Sequence, residues 1–310
     1  MENKYVPEGY LISSEANRLY TSSLKSLEAA MKRGMILEGI ACVCDCTDMS
    51  LRVRLGSFEG IIEHSEAVYC DGEIKDIAII TRVGKPVCFK IKSIDVTDGI
   101  PRILLSRREA QRECMENFVS ALQPGDIIPS VVTHLDPFGA FVDIGCGIIS
   151  LITIDCISVS RIFHPSDRLY MGERLHTVVK CRDAETGRIY MSLRELLGTW
   201  EENAAQFSQY STVSGIVRSV EQYGVFVELA PNLAGLAELR EDVMPGDLCS
   251  VYIKNIIPER MKIKLVIIDV SGTAGRESLK YYVDVDRTRH LDKWSYSPRG
   301  AKKQVETLFI

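Results

Sequence analysis

One pattern of short β-type runs recurs three times along this chain, and that repetition constrains the fold more than any other feature. The middle copy reads Val131-Val132-Thr133-His134-Leu135-Asp136-Pro137-Phe138-Gly139-Ala140-Phe141-Val142-Asp143-Ile144, with an apolar return at Ile148-Ile149-Ser150-Leu151-Ile152. Met171-Gly172-Glu173 and Ile189-Tyr190-Met191-Ser192-Leu193 complete it. In the last copy the same order appears as Gly215-Ile216-Val217-Arg218-Ser219-Val220-Glu221-Gln222-Tyr223-Gly224-Val225-Phe226-Val227-Glu228-Leu229, then Leu233-Ala234-Gly235-Leu236, Pro245-Gly246-Asp247 and Lys262-Ile263-Lys264-Leu265. The first copy keeps the frame at Leu51-Arg52-Val53-Arg54-Leu55, Gly60-Ile61-Ile62, Val83-Gly84-Lys85 and Ile103-Leu104-Leu105-Ser106, but has no aromatic pair.

Runs rich in Val, Ile and aromatics, broken by Gly, Asp or Pro, are strands joined by tight turns. Five strands in roughly seventy residues, with no long helix inside, avoid exposed edges most simply by curling into a small barrel. Good helix formers over 106–122 and 192–207 predict spacers, and a helix over Glu15 to Arg33 carries an apolar stripe of Leu19, Leu24, Leu27 and Met31. The expected fold is mainly β: tandem five-stranded barrels joined by short helical spacers. The expected order is a helical segment over 1–33, a degenerate first barrel over 34–107, a helical linker over 108–123, a second barrel over 124–194, a helical linker over 195–207, a third barrel over 208–269 and a β extension over 270–310. Within that extension, 279–285 and 291–296 read as two further strands.

With 310 residues, 46% hydrophobic and 25% charged, the chain is long enough for several packed domains. It contains no run of about twenty apolar residues, and Met1 to Tyr20 lacks an apolar signal core, so the expectation is a cytoplasmic protein without a membrane partner. Ten irregularly spaced cysteines are then expected to stay reduced. A net charge of -5 argues against electrostatic coating of duplex DNA but permits a local basic surface along a single strand. The segment from Ser271 to Ile310 is locally basic, with eight Lys/Arg against five Asp/Glu.

The Phe-Gly-Ala-Phe-Val-Asp run, a Gly-Glu or Gly-Asp before the fourth strand, and a closing Arg-Ile-x-x-Ser-Leu strand resemble the RNA-binding repeat of the bacterial ribosomal protein S1 family. Leu197-Gly198-Thr199-Trp200-Glu201-Glu202 is similar to the spacer that follows a repeat there. The resemblance implies an oligonucleotide-binding (OB) barrel whose second and third strands carry RNA on two aromatics, a histidine, an Asp and an Arg. Carried over by position, these are Phe138, Phe141, Asp183 and Arg188 in the middle copy, with Thr153 at the histidine position. The last copy offers Tyr223 and Phe226, with Lys262 near the arginine position and Glu238 at the histidine position. The first copy has Asp95 and Arg102 without aromatics and is expected to serve structure or protein docking. The implied partners are single-stranded messenger RNA and the small ribosomal subunit.

Exposed rings offer flat faces for bases, and nearby cations, Lys180, Arg188, Arg218, Lys254 and Lys264, can meet phosphates. Rings three residues apart fall on opposite faces of an ideal strand, so both can face RNA only if Gly139 or Gly224 distorts the pleat. A single aromatic pair reads as core filling; its repetition on two barrels reads as a stacking surface with weak sequence preference. The rival reading is a protein-docking module with little direct RNA affinity. Cys42, Cys44 and Cys46 are expected as small core side chains on one strand face, not a zinc site, and His134, His164 and His176 as surface residues. Asp143 and Asp155 read as turn formers rather than magnesium ligands. No phosphate-cradling loop, nucleophile elbow or paired-acid motif occurs, so no catalytic residue, metal or cofactor is expected.

Overall fold

The computed structural model describes residues 4–97, 99–273 and 278–309. Three closed five-stranded barrels follow one another along the chain. The first contains β1 (Leu37–Cys44), β2 (Leu51–Leu55), β3 (Phe58–Ile62), β4 (Pro86–Thr97) and β5 (Ile100–Ser106). The second contains β6 (Ile127–Asp136), β7 (Gly139–Asp143), β8 (Ile149–Thr153), β9 (Arg174–Arg182) and β10 (Ile189–Ser192). The third contains β11 (Thr212–Glu221), β12 (Gly224–Ala230), β13 (Leu233–Ala237), β14 (Asp247–Ile257) and β15 (Lys262–Thr273). Each has the order first-second-third-fifth-fourth, with the third and fifth strands parallel. This is the OB fold, in which closure removes the edges that a five-stranded sheet would otherwise expose.

Period-two burial drives each barrel: Leu51, Val53 and Leu55 of β2 point inward while Arg52 and Arg54 face water. The cysteine expectation is corrected: Ala41 faces the core, so the neighbouring Cys42 faces out, and a bulge between Ala41 and Val43 shifts the register so that Cys44 turns partly inward. Cys42 and Cys46 are exposed and only Cys44 packs partly on the core. The N-terminal helix is in fact two, α1 (Glu15–Tyr20) and α2 (Leu24–Lys32), because the Thr21 hydroxyl bonds back to the Asn17 carbonyl and Ser23 begins a new capping box. The break rotates the apolar stripe, so Leu27 enters the core and Leu19 stays exposed. Helix α3 (Asp76–Ile80) lies between β3 and β4. Both spacers are shorter than expected. Helix α4 (Arg107–Asn117) ends at Phe118, and Gly198, at φ +83°, separates a single 3₁₀ turn from α5 (Trp200–Ala204).

Contacts group the described residues into two compact units. One is built on the first barrel and includes Pro129–Val131 and Asp143–Ile149. Within it the buried Glu8 carboxylate receives Arg107 Nε at 2.6 Å and Nη2 at 3.1 Å. The other unit holds Gln123–Ile128, Val132–Val142 and the chain from Ser150 onward.

In this second unit the C-terminal segment forms one of the two expected strands, within 291–296, and not the one over 279–285. Tyr281, Val283 and Val285 pack without strand pairing on Ile127, Val178 and Leu196, while β16 (Lys293–Ser295) pairs with β17 (Glu306–Leu308). Trp294 and Tyr296 extend the core of the third barrel, and the Tyr296 hydroxyl donates to the Asn232 carbonyl at 2.6 Å. Asn232, fully buried in the turn between β12 and β13, accepts from Val159 N and donates to the carbonyls of Arg194 and Gly198.

Beside it, the Glu228 carboxylate is held by two bidentate arginines, Arg168 at 2.7 and 2.7 Å and Arg218 at 2.9 and 3.1 Å. Burial opposes the Glu228 charge, but the two guanidinium groups outweigh it and hold the carboxyl below its ordinary range. Its stabilisation is therefore complete above pH 4.5 and is lost as pH falls through the lowered value. Glu228→Ala leaves two buried cations without a counter-charge and should destabilise this unit by about 3 to 5 kcal/mol in urea titration at neutral pH. The same substitution should flatten the acid limb of its stability curve.

Candidate nucleic-acid interface

Sequence position and geometry match between the second and third barrels at the aromatic pair. Phe138 and Tyr223 occupy the second position of two-residue turns, Pro137-Phe138 and Gln222-Tyr223, between the first and second strands. Neither ring belongs to a strand, so the alternation of the pleat does not send it to the face opposite Phe141 or Phe226. The turn resolves the geometric conflict that three-residue spacing posed. Phe138 is 55% and Tyr223 69% exposed, and Phe141 and Phe226 are half-buried beneath them. Ring centroids are 5.8 Å apart at 89° in one pair and 6.0 Å apart at 88° in the other. These edge-to-face contacts leave one broad face of each outer ring open.

Glycine makes the arrangement possible. A Cβ at Gly139 would lie 2.3 Å from the Ile152 carbonyl oxygen, and one at Gly224 would lie 2.3 Å from that of Ala237. The hairpin backbone thus rests directly on the third strand, with Leu151 or Leu236 alongside. In the third barrel Ser219 opposes Phe226, Phe226 opposes Leu236, Leu236 opposes Lys264, and Lys264 opposes Asn255. Residues opposed in this way share a face, so exposed Lys264 stands two strands from the Phe226 ring, about 10 Å at normal strand spacing.

The corresponding row of the middle barrel reads Leu151, Tyr190, Cys181. Tyr190 therefore occupies the place of Lys264 and adds a third, half-buried ring to this face. Sequence reasoning missed it, although its alternation with buried Ile189 and Met191 was available as a signal. His134 was missed too: its exposed imidazole lies 6.1 Å from the Phe141 ring.

The remaining expected residues divide. Arg188, Lys254, Lys262 and Lys264 are exposed. Asp183 is instead occupied within its own turn, where its carboxylate accepts from Glu185 N, Thr186 N and the Thr186 hydroxyl. The backbone amide of Thr186 leads the contacts that hold its pKa below the ordinary range. Lys180 is half-buried; desolvation disfavours its charge, but Cys156 Sγ at 2.9 Å from Nζ and the nearby Asp155 raise its pKa. Arg218 is buried against Glu228 and does not stand free for phosphate, contrary to expectation. Asp143 is buried and accepts from the backbone of Glu8, Gly145 and Gly147, which explains its presence without a metal.

On the first barrel the matching row is Val43, Arg52, Ile61, Leu104, Ser93. Arg52 stands at the ring position and pairs with Glu59 at 3.3 Å. The turn before β2 is longer and is braced by Asp45 and Asp48 side chains, with no aromatic.

Residues 121–194 match the family model described as S1 RNA binding domain. The middle barrel is an S1 domain. Among curated proteins, the chain is 31% identical over 193 residues to small ribosomal subunit protein bS1 of Leuconostoc lactis, covering 57% of this chain and 44% of that protein. It is 29% identical over 278 residues to bS1 of Rhizobium meliloti, covering 88% and 46%. For bS1 of Staphylococcus aureus strain COL the figures are 29% over 210 residues, 63% and 52%. The chain spans about half the length of these relatives. The S1 hairpin geometry, repeated in the third barrel, depends on the two glycines. Gly224, at φ +146°, is the stricter case, and Gly224→Ala should cost about 1 to 3 kcal/mol in urea unfolding. Gly72→Ala, with open space around the added methyl, should stay within about 0.5 kcal/mol of wild type.

Proposed function

We propose that this chain binds single-stranded RNA without catalysing a reaction on it, through the outward rings of the second and third barrels. The observation that carries this reading is the pair of matching edge-to-face aromatic clusters, each with its outer ring open to water. Large apolar rings held open at one position of a repeated fold suit base stacking, which tolerates any sequence because every base has a π face. Phosphates between stacked bases would meet Arg188 on the middle barrel and Lys254, Lys262 and Lys264 on the third. Tyr190 and His134 widen the stacking face of the middle barrel.

The small ribosomal subunit is named in the relatives, and we extend the proposal to messenger RNA in the cytoplasm beside that subunit. Among the described residues no helix is long and apolar enough to cross a membrane. With Arg52 in the ring position, the first barrel is assigned no stacking role and remains the part best suited to protein contact. Two modest sites on one chain reinforce each other, because the second contact is intramolecular once the first is made.

Fluorescence anisotropy with labelled oligouridine tests the reading. Phe138→Ala and Tyr223→Ala should each weaken binding by about 5- to 150-fold, corresponding to about 1 to 3 kcal/mol per stacked base. Affinity should also fall with salt, by a log–log slope of about 0.7 per phosphate contacted. Affinity unchanged in both variants would remove the rings from the site and favour the protein-docking reading.

A further inference from the structure

The connection between β8 and β9 of the S1 domain runs onto the third barrel, and both lie in one compact unit. Its path is pinned at successive points. Val159 N donates to Asn232 Oδ1 at 2.9 Å, Ser160 N to the Pro231 carbonyl at 3.2 Å, and Ser160 Oγ to the Ala230 carbonyl at 3.3 Å. Further along, Arg168 grips Glu228 of β12. Ser160 and Ile162 are buried, yet Arg161 between them is exposed. Its guanidinium lies over the exposed Phe163 ring at 6.0 Å, and among the described residues no carboxylate pairs with it. A long cationic side chain is thus held on an immobilised backbone.

Arg161 and Ser160 line a pocket of about 180 Å³ together with Tyr223, Phe226, Arg218 and Glu221 of the third barrel. The space is smaller than the roughly 300 Å³ at which pockets for drug-sized molecules begin, which suits one planar base rather than a larger ligand. Of the two cations that line the pocket, Arg218 is already paired with the Glu228 carboxylate, so Arg161 is the one without a carboxylate partner among the described residues. Glu221 at the rim opposes an anion, and Arg161 offsets it.

We infer that Arg161, carried by the S1 domain, completes the nucleotide site of the third barrel: a base stacks on Tyr223 while its phosphate pairs with Arg161. The two barrels then form one composite site at this point, and the S1 domain contributes to binding beyond its own aromatic face. This inference rests on the RNA-binding reading proposed above.

The test is a double-mutant cycle on the full chain, using anisotropy of a labelled oligouridine over a salt series. Arg161→Gln should weaken binding about tenfold, as expected for a lost charge-assisted contact, and lower the salt slope by about 0.7. Combined with Tyr223→Ala its effect should shrink, because the two residues hold the same nucleotide, whereas combined with Phe138→Ala it should persist in full. Arg161→Lys should recover part of the loss. Circular dichroism on each variant establishes folding, and the exposed Arg161 side chain makes no hydrogen bond among the described residues that substitution would break. If Arg161→Gln leaves affinity and slope unchanged while Tyr223→Ala weakens binding, the composite site is overturned and the RNA reading stands. If wild type does not bind, or neither Tyr223→Ala nor Phe138→Ala alters binding, both are overturned.

Discussion

Close backbone contact at Gly139 and Gly224 is the constraint on which the rest of the interface depends. At each position the chain lies so near a carbonyl of the third strand that no side chain fits. The hairpin is thereby pressed flat on its neighbour, and the turn residue just before the glycine is directed outward over the ring three positions later. An edge-to-face pair follows in both barrels with nearly equal separation and angle. The first barrel has a longer turn braced by aspartates, with Ser50 rather than glycine before β2 and no aromatic in the turn. Ring display is therefore a property of hairpin geometry, and OB topology alone does not supply it.

A second device acts beneath the surface. Glu228 between two arginines and Asn232 between several backbone groups tie the β8–β9 connection, the linker after the S1 domain and the C-terminal segment to the third barrel. Polar groups buried this deeply are tolerated because nearly every hydrogen-bonding atom is met. Beside Tyr223 the exposed Arg161 stands without a carboxylate partner among the described residues, even though the formal net charge of the chain is -5. Local arrangement, more than total charge, decides whether a surface can meet phosphate.

Much of this was legible in the residues. Repeated runs and turn glycines revealed three barrels, because strand periodicity is local and survives without knowledge of packing. The aromatic pairs were legible for the same reason, and the degenerate first copy was visible from its missing rings. What escaped depended on contacts distant in sequence. Arg218 looks like a free cation until Glu228, across the adjacent strand, and Arg168 are placed around it. Asp183 looks like a ligand until the Thr186 turn closes on it. Tyr190 joins the stacking face only through the parallel pairing of β8 with β10, which no short motif announces. The cysteines were misplaced because Ala41, not Cys42, takes the inward face of β1; the bulge after it turns only Cys44 partly inward, and Cys46 lies in the turn beyond the strand.

The central claim is that bases rest on these rings. Photocrosslinking of the intact chain to a 4-thiouridine oligoribonucleotide, with adducts mapped by mass spectrometry, examines that contact most directly. The account predicts adducts in the peptides holding Phe138, Phe141 and Tyr190 and in the peptide holding Tyr223 and Phe226, with the Arg52 face of the first barrel unlabelled. Adducts confined to the first barrel or the basic C-terminal segment, with the ring-bearing peptides unlabelled at saturating RNA, would contradict it.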